Sequence, residues 1–357
     1  MFGIKSAIGI SAIGLVALAS PASAGDWGTP RSASTGNLTQ PSMVAESAVF
    51  QQIVARGDTG IWHVNSKSGD FVRTRLTQDF TTQVDGHTVN HSAQSPQIAI
   101  NAGGALTVVY SIKLTPGSCG SQGILYTIHK DGAWSTPTSI PNTACETATG
   151  LVVHGTKIYL ATIHGTSRVS YFTNASGSWT HATVATAPHI SRASLSTYDG
   201  KPMLAYIKQG HVVYARGQTS TGSFVHENAA TAGPGATSEP SVAINEISDW
   251  PMIAWAQADG THYAYRNAQG WYSYRVMQGH VRAILEINPD GASYILSADG
   301  TGGLWLAARY GGSWHTFQLD VHTASDVAGM YFDGSITNAS YIREGTHLFA
   351  INQYRGC

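Results

Sequence analysis

The chain has 357 residues, of which 42% are hydrophobic and only 11% charged, against roughly 25% charge in ordinary soluble proteins. Its 39 glycines, 16 tyrosines and 9 tryptophans exclude a disordered chain, which is poor in aromatics and rich in charge. A net charge of −1 gives no field for a polyanion, so no nucleic-acid partner is expected, and this balance suits a turn-rich all-β protein.

At the N-terminus, Lys5 precedes an apolar run over 8–19, and Ala22-Ser23-Ala24 supplies a small-x-small cleavage pattern. Residues 1–24 read as a secretory signal peptide and 25–357 as the mature chain, placing the protein outside the cell. The run is too short to span a bilayer, so no membrane partner is expected. In an oxidising compartment the three cysteines allow a Cys119–Cys145 disulfide, with Cys357 left over.

An internal repeat organises the rest. Gly132-Ala133-Trp134, Gly177-Ser178-Trp179 and Gly312-Ser313-Trp314 share a Gly-x-Trp frame, with Gly69-Asp70-Phe71, Gly222-Ser223-Phe224 and Gly270-Trp271 as variants. These aromatics are 43 to 47 residues apart, except for a first step of 63 that contains the Gly/Ser/Cys stretch 114–122. Each unit starts with a strand, often after Ser-Pro or Glu-Pro, as at Ser95-Pro96 and Glu239-Pro240. It passes a turn into an apolar strand such as 203–206, then an alternating strand such as 211–215, and closes on Gly-x-Trp. Four short strands per ~45 residues describe a β-propeller blade.

Six complete blades start near residues 41, 95, 147, 191, 238 and 282, and a seventh, from 326, stops after its third strand at 346–354. Asp26-Trp27-Gly28-Thr29-Pro30 echoes Ala133-Trp134-Ser135-Thr136-Pro137, so an N-terminal strand is expected to complete the last blade and remove the open edge. The expectation is one all-β, seven-bladed, monomeric propeller over 25–357, with four antiparallel strands per blade.

In such a ring, the loops from fourth to first strands and from second to third strands share one face. Nine of the fifteen histidines fall there: His87, His91, His189, His280 and His322 on the former, His164, His211, His262 and His347 on the latter. The starts of first strands, which point at the central channel, carry His91, Glu146, His189, Arg192, Glu239, His280, Arg282 and Asp326. Acid, base and cation at one mouth suit a small anionic or sugar-like ligand, with His91, Arg192, Glu239 and His280 as binding residues. Cys119 and Cys145 fall on the same face in adjacent blades, which makes their bridge geometrically reasonable. The histidines lack any defined metal spacing, so no metal and no cofactor are expected. P-loop, nucleophile-elbow and zincin motifs are absent from the sequence.

Through Ser-Pro-x-Ile-Ala and Gly-x-Trp, nearly the whole mature chain resembles the secreted bacterial propellers with degenerate sialidase-like (BNR-type) repeats. That group includes hydrolases, lyases and lectins. A narrower resemblance is to seven-bladed polysaccharide lyases of the ulvan-lyase type, which use His, Tyr and Arg over neighbouring blades. It implies a catalytic set of His164, His189, Tyr265 and Arg282, with Tyr263 competing for the tyrosine's place. Arg282 would neutralise a uronate carboxylate, His189 would remove the adjacent proton, and Tyr265 or His164 would protonate the leaving oxygen. The implied activity is β-elimination on a uronate polysaccharide. A non-catalytic glycan-binding propeller is the alternative, supported by the wealth of Trp and Tyr, and a glycoside hydrolase using two of Glu146, Glu239 and Asp326 is third.

Overall fold

The computed structural model describes residues 30–34, 37–47, 50–66, 71–115, 123–233, 239–277, 282–299, 302–310, 312–332, 336–344 and 347–354. Residues 1–24, read above as a signal peptide, lie outside them, as do Trp27, Cys119, His280 and Cys357.

The described residues form seven antiparallel sheets and no helix. Blade 1 runs Thr39–Ser47, Phe50–Gly57, Gly60–Asn65, Val72–Arg75, and blade 3 runs Glu146–His154, Lys157–His164, Arg168–Thr173, Thr180–Thr186. Blade 4 (Ser194–Tyr198, Lys201–Lys208, His211–Thr219, Gly222–Thr231) and blade 5 (Ser241–Asn245, Trp250–Gln257, Gly260–Asn267, Gly270–Met277) follow. Blade 6 is Arg282–Ile287, Ser293–Ala298, Leu304–Tyr310, Ser313–Asp320. Blade 7 takes Ala324–Phe332, Ile336–Arg343 and His347–Tyr354 from the C-terminal end, and its outer strand is Arg31–Ser34. Arg31 pairs with Ala350 and Ser32 with Phe349, so the two ends of the chain close the ring as expected. We call the face with the fourth-to-first connections upper and the opposite face lower.

Blade 2 departs from the expected boundaries. Its inner strand, His87–Ile100, starts at His87 rather than near Ser95. Ser95 has φ 50, and the register with Leu106–Thr115 jumps between Gln94 and Gln97. This bulge divides the strand. Beyond it, the upper half pairs with an added strand, Phe80–Val84, and extends the sheet past the upper face.

The repeat is visible in how blades adhere. The closing aromatic of one blade meets a third-strand ring of the blade before it. Ring centroids lie 5.2 Å apart for His63–Trp134, 5.9 Å for Tyr126–Trp179, 5.7 Å for Tyr171–Phe224, 5.5 Å for Tyr214–Trp271 and 5.0 Å for Tyr263–Trp314. Such pairs add about 0.5–1.5 kcal/mol each beyond area burial.

Nearer the axis, one first-strand position makes the next contact. Ser42, Ser194 and Ser241 Oγ accept from the backbone N–H of Ile98, Val242 and Leu285 in the following blade, at 3.3, 3.0 and 3.0 Å. Gly150 and Gly329 occupy the same place in blades 3 and 7. A Cβ there would lie 2.9 Å from Leu195 N and 2.9 Å from Met43 Cβ, so glycine permits the approach that serine bridges elsewhere.

Candidate functional site

At the upper mouth, four neighbouring first-strand starts carry charge and meet in a chain. Arg192 Nε stands 3.7 Å from Glu239 Oε2. Arg282 Nη2 stands 3.9 Å from the same oxygen, and its Nη1 is 3.4 Å from Asp326 Oδ1. Arg192 also donates to Ala148 O of blade 3 at 3.0 Å, and Arg282 to Val327 O of blade 7 at 3.2 Å. The chain thus links five successive blades. Burial pushes the Glu239 carboxyl up, opposed by Arg282 and Arg192 and assisted by Asp326. For Arg282, burial acts downward, but Asp326 and Glu239 outweigh it and hold the proton more firmly. A guanidinium bracketed by two carboxylates is already neutralised, and a ligand carboxylate would have to compete with both.

The structure therefore brings Arg192, Glu239 and Arg282 together and disperses the other expected residues. His189 lies in the loop before blade 4, exposed, at φ 58, and its side chain makes no hydrogen bond among the described residues. His164 ends the second strand of blade 3 in a separate cluster. Arg168 Nη2 contacts its Nδ1 at 3.3 Å and donates to Glu146 Oε1 at 2.7 Å. Glu146 is buried and also accepts from Thr162 at 2.7 Å and Ser170 at 3.2 Å. His91 is buried in the blade 2 extension, stacked 4.3 Å from Phe80 and bonded to Thr82 Oγ1 at 2.9 Å. Cys145 is disulfide-bonded, with φ 68.

Tyr265 stands apart from this mouth. It sits on the third strand of blade 5, two strands out from the channel, and pairs with Met252 and Tyr272 below the middle of the blade. Its ring lies 5.5 Å from Tyr272 and 6.0 Å from Tyr263, with Arg309 of blade 6 at 5.1 Å. It is packed between blades, away from Arg282. Tyr263 is fully buried, its hydroxyl donating to Met252 Sδ at 2.9 Å.

The lower face holds what the sequence did not announce. Between blades 4 and 5 opens a cavity of about 440 Å³, walled by Tyr198, Tyr214, Arg216, Asp249, Trp250 and Arg266 among others. It adjoins a hollow of about 120 Å³ that shares Tyr198, Met203 and Arg216. Arg266 Nε donates to Glu227 at 2.8 Å, Trp271 Nε1 donates to the same oxygen at 2.9 Å, and the Arg266 guanidinium lies 5.6 Å from the Trp250 ring. The Tyr198 hydroxyl donates to Asp249, which pushes the phenol up. Arg216 is exposed and has no hydrogen bond or ion pair among the described residues. One signal was legible: Trp250 stands outside the Gly-x-Trp frame, at the start of a second strand.

No family model matches the chain, and no curated protein matches it. Among solved structures it is similar to the SapL1 lectin in complex with alpha methyl fucoside, with 13% identity, 80% of this chain and 96% of that chain covered, and a TM-score of 0.52. It is similar to the Penicillium chrysogenum alpha-L-arabinanase complexed with arabinobiose, with 11% identity, 92% and 99% covered, and a TM-score of 0.52. The NanB sialidase from Streptococcus pneumoniae gives 11% identity, 90% and 69% covered, and a TM-score of 0.51. The likeness is one of fold. A lectin, an arabinanase and a sialidase share it, so the propeller alone does not choose between binding and cleavage.

Proposed function

We propose that this is a secreted glycan-binding propeller whose site is the lower-face cavity between blades 4 and 5. The observation that carries this reading is the pairing of an aromatic platform with an available cation: Trp250 and Tyr198 beside Arg216, in about 440 Å³. A pyranose presents apolar C–H faces and a rim of hydroxyls. Indole and phenol rings cover the former, and a guanidinium fork contacts two vicinal oxygens or a carboxylate. The volume falls within the usual range of ligand pockets, and Glu227 and Asp249 add acceptors for sugar hydroxyls. Similarity of fold to the SapL1 lectin and the arabinanase, both solved with sugars, is compatible with this reading.

The test is a panel of acidic and neutral polysaccharides, read for retention, unsaturated products and new reducing ends. Retention without cleavage is expected, with Trp250→Ala and Arg216→Ala each weakening it about tenfold, the equivalent of ~1.4 kcal/mol. Unsaturated product from a uronate polymer, lost in His189→Ala, would overturn it in favour of β-elimination at the upper mouth.

A further inference from the structure

The lower end of the central channel opens into a second cavity, of about 450 Å³, formed by first strands of blades 1, 2, 5, 6 and 7 and the turns that follow them. Its walls mix two kinds of surface: Val44, Ile100, Ile244 and Ile287 supply apolar side chains, Glu246, Asn288 and Tyr331 supply polar ones, and Ile247, 69% exposed, forms part of the rim. Into this lining blade 6 places Glu286.

The inter-blade register shows how singular this carboxyl is. The repeated serine–backbone and glycine contacts align the seven first strands, and two residues beyond the contact position they carry Val44, Ala99, Val152, Ser196, Ala243, Glu286 and Tyr331. One ring position therefore holds a single ionisable acid. Glu286 has no ion pair and no side-chain hydrogen bond among the described residues. The titratable groups around it are Glu246 on the turn after blade 5's first strand, Tyr331 from blade 7, and Tyr294 on the strand paired with its own. Arg282 lies at the far end of the same strand, engaged with Glu239 and Asp326. Among the described residues that line the cavity, two are carboxylic acids and none is basic.

We propose that the lower channel mouth is a binding site for an organic ammonium ion, an apolar body bearing one protonated amine, with Glu286 as the counter-charge. The aliphatic side chains of Val44, Ile100, Ile244 and Ile287 accept a hydrocarbon body by burial. A lone carboxylate in low dielectric attracts a cation far more strongly than the same group in water, and the Tyr331 ring adds a face suited to an ammonium group. A carboxylate ligand meets two acids and no cation, so it is excluded. Burial holds the Glu286 proton up to about 7, so an ammonium ion that binds the ionised form expels that proton. This inference is independent of the glycan reading, whose site lies between blades 4 and 5.

The test is calorimetric titration of the intact protein with phenethylammonium, phenethyl alcohol and 3-phenylpropionate. Phenethylammonium is expected to bind at least tenfold more tightly than the alcohol, and 3-phenylpropionate not to bind. Ammonium affinity should rise between pH 5.5 and 7.5, with proton release visible as a dependence on the buffer's ionisation enthalpy. Glu286→Gln should cost at least tenfold and abolish proton release. Glu286→Asp, which keeps the charge, should stay within about threefold, as should Glu246→Gln at the rim. Equal binding of ammonium and alcohol, no binding of either, or an unchanged Glu286→Gln would each overturn the proposal.

Discussion

The upper mouth and the lower face of the ring use charge in opposite ways. Above, Arg192, Glu239, Arg282 and Asp326 neutralise one another across blade boundaries. Below, Arg216 and Glu286 border cavities without partners among the described residues. In a chain with so few charges, a paired group holds blades together, and an unpaired one at a cavity is free for a ligand. The contrast separates residues that look functional by type from those that remain available for function.

Four substitutions sharpen this contrast. The largest effect is expected at Arg282, whose side chain is 22% exposed between two carboxylates. Arg282→Ala leaves Glu239 and Asp326 facing each other without their shared cation, and breaking a buried pair in this way costs about 3–5 kcal/mol. Denaturant unfolding should show a loss near the lower figure, given the partial exposure, while glycan retention by the folded variant is unchanged.

Next is Glu286. Its pKa in the folded protein is raised from 4.5 to about 7, so the protonated form favours folding. That stability is fully present below the unfolded value and is lost as pH rises from 4.5 to about 7. At about 1.4 kcal/mol per pKa unit, wild type should lose up to ~3 kcal/mol across this window relative to Glu286→Gln. The rise at Glu239 has the same sign and cancels in the difference, so parallel stability–pH curves would show that Glu286 is solvated.

Arg216→Ala comes third: a tenfold loss of glycan retention with stability unchanged within about 0.5 kcal/mol, as befits an exposed side chain. A stability loss equal to that of Arg282→Ala would mean that the lower face holds the fold together as much as the mouth does. The smallest effect is expected from Tyr265→Phe, which removes a hydroxyl from an inter-blade ring and keeps the packing. Retention and stability should stay within measurement error, and a loss of polysaccharide turnover would restore the catalytic role that the lyase resemblance implies for this tyrosine.

The architecture was legible because packing repeats. Trp179, Phe224, Trp271 and Trp314 recur at intervals of 43 to 47 residues because each fills the same gap beside a third-strand ring. Closure by an N-terminal strand was legible for the same reason, as the last repeat lacked a piece that the first residues could supply. The blade 2 extension was hidden, since Phe80–Val84 follows no repeat and depends on a bulge at Ser95.

The mouth was half legible. Strand starts placed Arg192, Glu239 and Arg282 in one ring, but whether those charges face a ligand or one another is set by side-chain distances. The height of Tyr265 was not legible, because counting along a strand gives a side and not a height: the third strand descends from Gly260, and five residues on it has left the upper face. The cavity between blades 4 and 5 draws on Tyr198, Arg216 and Trp250 from three strands of two blades, a juxtaposition that no local motif announces. Pairing of Cys145 with Cys119 is open to peptide mapping without reduction.

The most direct test of the central claim is a crystal structure of the protein with a glycan it retains from the polysaccharide panel. The account predicts a sugar ring stacked on Trp250, with oxygens on the Arg216 guanidinium, between blades 4 and 5. A sugar seated instead at the upper mouth, against His189 and Arg282 with Glu239 and Asp326 displaced, would contradict it.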